Sequence, residues 1–144
     1  MTLLGPPIDS RAFHIRQWLR KGGLTHFPPE ALWQWIDADT EKRAWYGASF
    51  VPPFLTRSET EVCWARELLV RYGARKDVRN NLHANFGTES WSGPESHHYQ
   101  AKKRMFEEFR ETESDQNVRR WLDEEIESLN RRIQDARVRE EREF

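Results

Sequence analysis

Residues 114–143, "SDQNVRRWLDEEIESLNRRIQDARVREERE", run without a glycine or a proline. Val118, Trp121, Leu122, Ile126, Leu129, Ile133 and Ala136 recur there mainly at steps of three and four. Only a helical period gathers such positions into one stripe, because a strand would send alternate residues to opposite faces. A helix of at least five turns with one oily stripe needs other helices to cover it. Charged residues fill the opposite face, among them Glu127 and Arg131 at ion-pairing distance along a helix, and Glu125 is expected to point outward. Beyond Ala136 the stripe fades into "RVREEREF". Residues 137–144 are therefore expected to form a charged helical tail that projects, frays or packs on something outside the chain. Removing them should leave thermal stability nearly unchanged while weakening partner capture.

The rest of the chain carries shorter helical segments with clear punctuation. Residues 9–21 open with Asp-Ser and stop at Gly22-Gly23. "PPEALWQWI" (28–36) has proline in the first turn, where no amide partner is needed. "DTEKRAWYGASF" (39–50) ends before Pro52-Pro53. Residues 58–73 read as a helix opened by a capping box, Ser58 with Glu61, and closed by Gly73. Helices over 75–87 and 94–111 follow, the second opened by Pro94. Strand signals are scarce, so the expected class is all-α.

At 144 residues the chain suits a single domain with one continuous core. Seven tryptophans and eight phenylalanines point to a core built from large rings. The formal net charge of −1 provides no global field for nucleic acid or an acidic membrane. Cys63 is the sole cysteine, so neither an internal disulfide nor a paired-thiolate zinc site is available. The opening "MTLLGPPIDSRAF" lacks the basic-then-apolar pattern of a secretion signal, and no window has transmembrane length, which makes a cytoplasmic location the expectation.

Three segments align on an arginine: "DTEKRAWYGASF" on Arg43, "KDVRNNLHANF" on Arg79 and "DQNVRRWLDEEI" on Arg119. An aspartate precedes each arginine by two to four residues. Tyr46, Leu82 and Leu122 follow at three residues, and Phe50, Phe86 and Ile126 at seven. The intervals are 36 and 40 residues, and each segment follows another amphipathic helix. This pattern resembles HEAT-type repeats over residues 28–136. The resemblance implies a short right-handed α-solenoid of about three helix pairs, with residues 9–22 as a leading helix and 1–144 as one helical-repeat domain. In such a stack each pair covers the oily side of the one before it. The aspartate would cap the second helix, and the arginine would reach an acidic turn in the next repeat. A helical bundle would share much of the pattern. The run "NLHANFGTESWSGPESHHY", together with the last helix, resembles the C-terminal helical tails of large bacterial HEAT-containing proteins, some of them multidomain ATPases associated with defence against phage. That likeness implies docking or recognition within a larger assembly. The chain has no phosphate-binding G-x-x-x-x-G-K-[ST] loop.

Residues suited to chemistry are few. His97 and His98 are adjacent and point about a hundred degrees apart on a helix, so they rarely bind one ion. A metal-dependent hydrolase would have to combine Glu95 and His98 with His83. The plainer reading places Glu95 at the positive end of a helix and the histidines on its surface. Cys63 is flanked by Glu59, Glu61 and Glu67, the opposite of the electropositive surroundings of a reactive thiolate, and reads as structural. Asp37 and Asp39 read as a helix-to-helix turn before they read as a paired-carboxylate site. Lys102, Lys103, Arg104 and Arg120 with neighbouring aromatics would form the nucleic-acid surface of a HEAT-like DNA-binding protein, but acidic "FEEFRETESD" follows at once. No catalytic motif and no cofactor are expected.

The expected function is thus a non-enzymatic interaction scaffold whose partner is another protein. Its candidate contacts are Trp91, Glu89 and His97 in and beside the 87–98 loop, one of Trp33 and Trp35, and Arg137 on the last helix. Trp33 and Trp35 cannot share a helix face, so one of them should be partly exposed. Trp91 either plugs its own helix pair or stands out as an anchor.

Overall fold

The computed structural model describes residues 10–55, 61–87 and 91–142. All regular structure among them is helical: α1 (Ser10–Arg20), a 3-10 turn (Gly23–His26), α2 (Pro29–Asp37), α3 (Thr40–Ala48), α4 (Trp64–Tyr72), α5 (Lys76–Phe86), α6 (Glu95–Thr112) and α7 (Gln116–Arg142). The chain divides into two compact units, Met1–Thr88 and Glu89–Phe144.

In the first unit α3 is the central helix, packed on α2, α4 and α5. Leu32, Trp33, Ile36, Tyr46, Phe50, Trp64, Leu68, Leu82 and Phe86 are buried there, so rings do build much of this core. Gly47 lets the helices close up: a Cβ on it would sit 3.2 Å from Ile36 Cδ1 and 3.6 Å from Leu68 Cδ1. After α1, Gly22 takes φ +118°, a left-handed conformation that side-chain-bearing residues rarely adopt, and turns the chain into the 3-10 segment.

Polar side chains fasten α3 and the residues after it to α5. Asn81 Nδ2 donates to the Trp45 carbonyl at 2.9 Å, across 36 residues. Buried Asn85 donates to the carbonyls of Ala48 (3.0 Å) and Val51 (2.7 Å), which lie at and beyond the end of α3 and lack helical partners. Its Oδ1 accepts from Arg20 Nε of α1 at 2.6 Å. One asparagine thereby joins three parts of the unit.

Arg43 and Arg79 both stand at the fourth position of their helices. Arg43 donates to the Trp35 carbonyl at 2.8 Å, and Arg79 to the carbonyls of Gly73 (2.9 Å) and Ala74 (3.0 Å). The expected reach into the next repeat is corrected: each arginine returns to the end of its own preceding helix. Unpaired terminal carbonyls are close and negative, and need no acidic turn. The aspartates diverge as well. Asp115 Oδ1 caps α7 through Val118 N–H at 3.0 Å, whereas Asp39 makes no side-chain cap bond and Asp77 pairs with Arg75 at 2.8 Å.

The capping box is also corrected. Ser58 lies outside the described residues, but Glu61 is not helical, and α4 starts only at Trp64 with Cys63 at its cap position. Trp64 is the first of this segment's large rings to be buried. Core entry, rather than local capping, fixes the start of the helix.

The second unit is an antiparallel hairpin of α6 and α7. Phe106 meets Trp121 edge to face, with centroids 5.6 Å apart and planes at 83°. The stripe of α7 is buried at Val118, Trp121, Leu122, Leu129, Ile133 and Ala136. Glu125 reverses its expected direction: it is 4% exposed, while Ile126 is half-buried. The stripe sits slightly to one side of the purely apolar set, and a carboxylate is carried inward with it.

Candidate functional site

Pro94 cannot continue a helix backward and leaves Glu95 and Ser96 in the first turn of α6. Ser96 donates through its N–H (3.2 Å) and its hydroxyl (2.8 Å) to Glu140 of α7, so a carboxylate from another helix caps this terminus. Those two bonds hold the Glu140 carboxyl below its ordinary value. Glu95 Oε1 accepts from the Tyr99 hydroxyl (3.0 Å) and from Arg139 Nη2 (2.9 Å), and these bonds lower its pKa in turn. The expectation that the end beyond Ala136 projects or frays is therefore overturned. The tail is helical to Arg142, and two of its charges, Arg139 and Glu140, are tied back to the start of α6.

Trp91 lies flat on His98, with centroids 4.3 Å apart and planes at 6°, and its ring is also 5.9 Å from Tyr99. It is nevertheless 45% exposed. One face of the ring is covered by His98 of α6 and much of the rest is open to solvent. His97 beside it is exposed. Glu89 lies outside the described residues.

Three further expectations can be placed. Trp33 is a core residue and is corrected as a contact candidate, because Trp64, Tyr72 and Arg71 surround it. Trp35 is the half-exposed member of the pair, lying beneath the Arg43 guanidinium at 4.7 Å. Asp37 accepts the Tyr72 hydroxyl at 2.8 Å, a structural duty, and burial followed by this bond pushes the tyrosine pKa up. For the metal reading, Glu95 is held by Tyr99 and Arg139 and His98 by Trp91, and among the described residues no three His, Cys, Asp or Glu side chains converge as a metal site.

The basic residues separate. Lys103 and Arg104 meet Arg137 in a groove of about 410 Å³ between α6 and α7, together with Gln100, Asn130, Gln134 and one acid, Glu107. Lys102 is half-buried and does not line this groove. Arg120 belongs instead to a patch with Arg119, Asp123, Glu124 and Glu127.

A surface that the candidate residues missed lies on the first unit. A groove of about 470 Å³ is lined by Phe27, Pro29, Pro52, Phe54, Val62 and Trp64, with Cys63, Arg20, Lys21 and Glu61 around them. Phe54 is 64% exposed, and Phe27 and Val62 about two-fifths exposed. Phe27 also meets the edge of Trp18, which stacks on His26 at 5.9 Å and is itself 49% exposed. The signal was present in sequence as "HFPPE" and "VPPFL", two double prolines each beside a phenylalanine. Proline fixes φ and removes a donor, so these segments leave the helix and carry their rings out with them. Reading the prolines only as helix punctuation hides this. Comparisons with protein-family models, with characterised proteins and with solved structures return no match.

Proposed function

We propose that this chain is a non-enzymatic interaction module, in which HEAT-like helix pairs carry an apolar groove that docks a segment of another protein. The observation that carries this reading is the contiguous surface of Trp18, Phe27, Phe54 and Val62 around the proline-walled groove. Patches of clustered large apolar side chains on soluble folds mark contact surfaces, because leaving them wet has a free-energy cost that a partner relieves. The bound segment would bring apolar side chains to the Phe54–Val62 wall.

The repeat reading is supported by the α3–α5 bonds, which span 36 and 37 residues, and by the shared position and carbonyl contacts of Arg43 and Arg79. Arg119 shares the fourth position in its helix but departs in being exposed on a mixed-charge patch. The resemblance of the second half to C-terminal helical tails of large bacterial HEAT-containing proteins, some of them associated with defence, would place the module in a larger bacterial assembly. The DNA-binding alternative draws its one specific support from the groove of Lys103, Arg104 and Arg137, and it requires duplex affinity that falls steeply with salt.

Affinity purification from the native host tests the main reading, using wild-type chain and the Phe27→Asp and Phe54→Asp variants. Both positions are exposed, so melting temperature should move by no more than a few degrees. A protein retained by wild type and lost from both variants is expected. Identical co-purifying sets from all three chains would remove the groove from the function.

A further inference from the structure

The α6–α7 hairpin is electrically polarised along its length. Its contacts fix the register: Glu95 meets Arg139, Ser96 meets Glu140 and Arg110 meets Asp123. In that register residues 95–104 lie beside 130–142, and this end holds eight Lys and Arg against four Asp and Glu. The other end, residues 105–129, holds nine Asp and Glu against three arginines. The crossover falls between Arg104 and Met105, near the middle of α6.

The same division runs along one exposed face of α6. His97, Ala101, Arg104, Glu108 and Glu111 follow steps of four and three, all exposed, with Met105 38% exposed beside them. Such spacing keeps a seam directed at a neighbouring helix. The seam is basic or neutral before its centre and acidic after it, with an apolar residue at the change. Rotating this pattern by a half-turn about Met105 brings Glu108 near Arg104 and sets Glu111 beside the stretch between His97 and Ala101, away from other acids. That self-complementarity is what a two-fold interface between identical surfaces requires.

We propose that the α6 face pairs antiparallel with the α6 face of a second copy of this chain, with the two Met105 side chains at the axis and Arg104 of each copy opposite Glu108 of the other. Parallel pairing would set the basic ends together and the acidic ends together, so charge decides the orientation. The contact is rim-like and polar apart from Met105 and Ala101, and salt screens it.

Sedimentation of the full chain at about 0.05 M and about 0.5 M salt tests this. A dimer at low salt that dissociates at high salt is expected. Arg104→Glu alone and Glu108→Arg alone should each weaken dimerisation roughly tenfold or more, because each sets like charges opposite one another twice. Mixing the two variants should restore a heterodimer, since every 104–108 contact is then again between opposite signs. Met105→Glu should also weaken the dimer, with the helical circular-dichroism signal unchanged. A chain that stays monomeric at low salt overturns the proposal. So does a dimer indifferent to residues 104 and 108, or a mixture that fails to rescue. Binding of duplex DNA by a monomer, lost in Arg104→Glu, would also overturn it and assign the basic end to nucleic acid.

Discussion

Asn85 shows how much one side chain can settle. Both of its amide hydrogens are used on carbonyls at and just beyond the end of α3, and its oxygen takes the guanidinium of Arg20. Asn85→Leu keeps the volume and orphans three partners, so it should destabilise the chain by about 2–3 kcal/mol in denaturant unfolding. Asn81→Ala loses one bond at a half-buried position and should cost about 1 kcal/mol. A spacing pattern centred on apolar residues passes over both asparagines, because their worth lies in acceptors more than thirty residues away. Glu125 carries the converse lesson: its charge pointed it outward, yet the packing of α7 took it in.

At the scale of elements, the existence of every α-helix among the described residues was legible in sequence, and so were most of their ends; the 3-10 turn at Gly23–His26 was not. Period, proline and glycine are local signals, and local signals survive without knowledge of the fold. The start of α4 was not legible, because burial of Trp64 overrode a good capping sequence. Nor was the fate of the end of α7. Its contacts with Glu95 and Ser96 imply that deleting residues 137–144 lowers the melting temperature, by roughly 2–6 °C in a thermal scan. The same contacts set an acid response. The folded-state pKa values of Glu95 and Glu140 lie below the ordinary 4.5, so their stabilisation is complete above that value and is lost as pH falls through the lowered ones. The helical signal should therefore decline below about pH 4, and the Glu95→Gln, Glu140→Gln double variant should be less stable at neutral pH and less sensitive to acid.

For the whole molecule, the aromatic content foretold a ring-built core, and the exceptions carry the functional interest. Trp33, Trp64 and Trp121 are buried, Trp35 and Trp45 half-buried, and Trp18 and Trp91 exposed. Acrylamide quenching of tryptophan emission should resolve an accessible class, and replacing Trp18 and Trp91 by phenylalanine should remove most of it. A quenching curve unchanged by both replacements would contradict this distribution. By itself the sequence determined an all-helical chain and the punctuation between its helices, since each follows from residues close together along the chain. Tertiary structure alone decided which carbonyls Arg43, Arg79 and Asn85 satisfy, that the final turns of α7 bind the start of α6, and that Phe27 and Phe54 share one open groove. Those outcomes depend on groups far apart in sequence, many of which offer equally good partners until packing brings one set within reach.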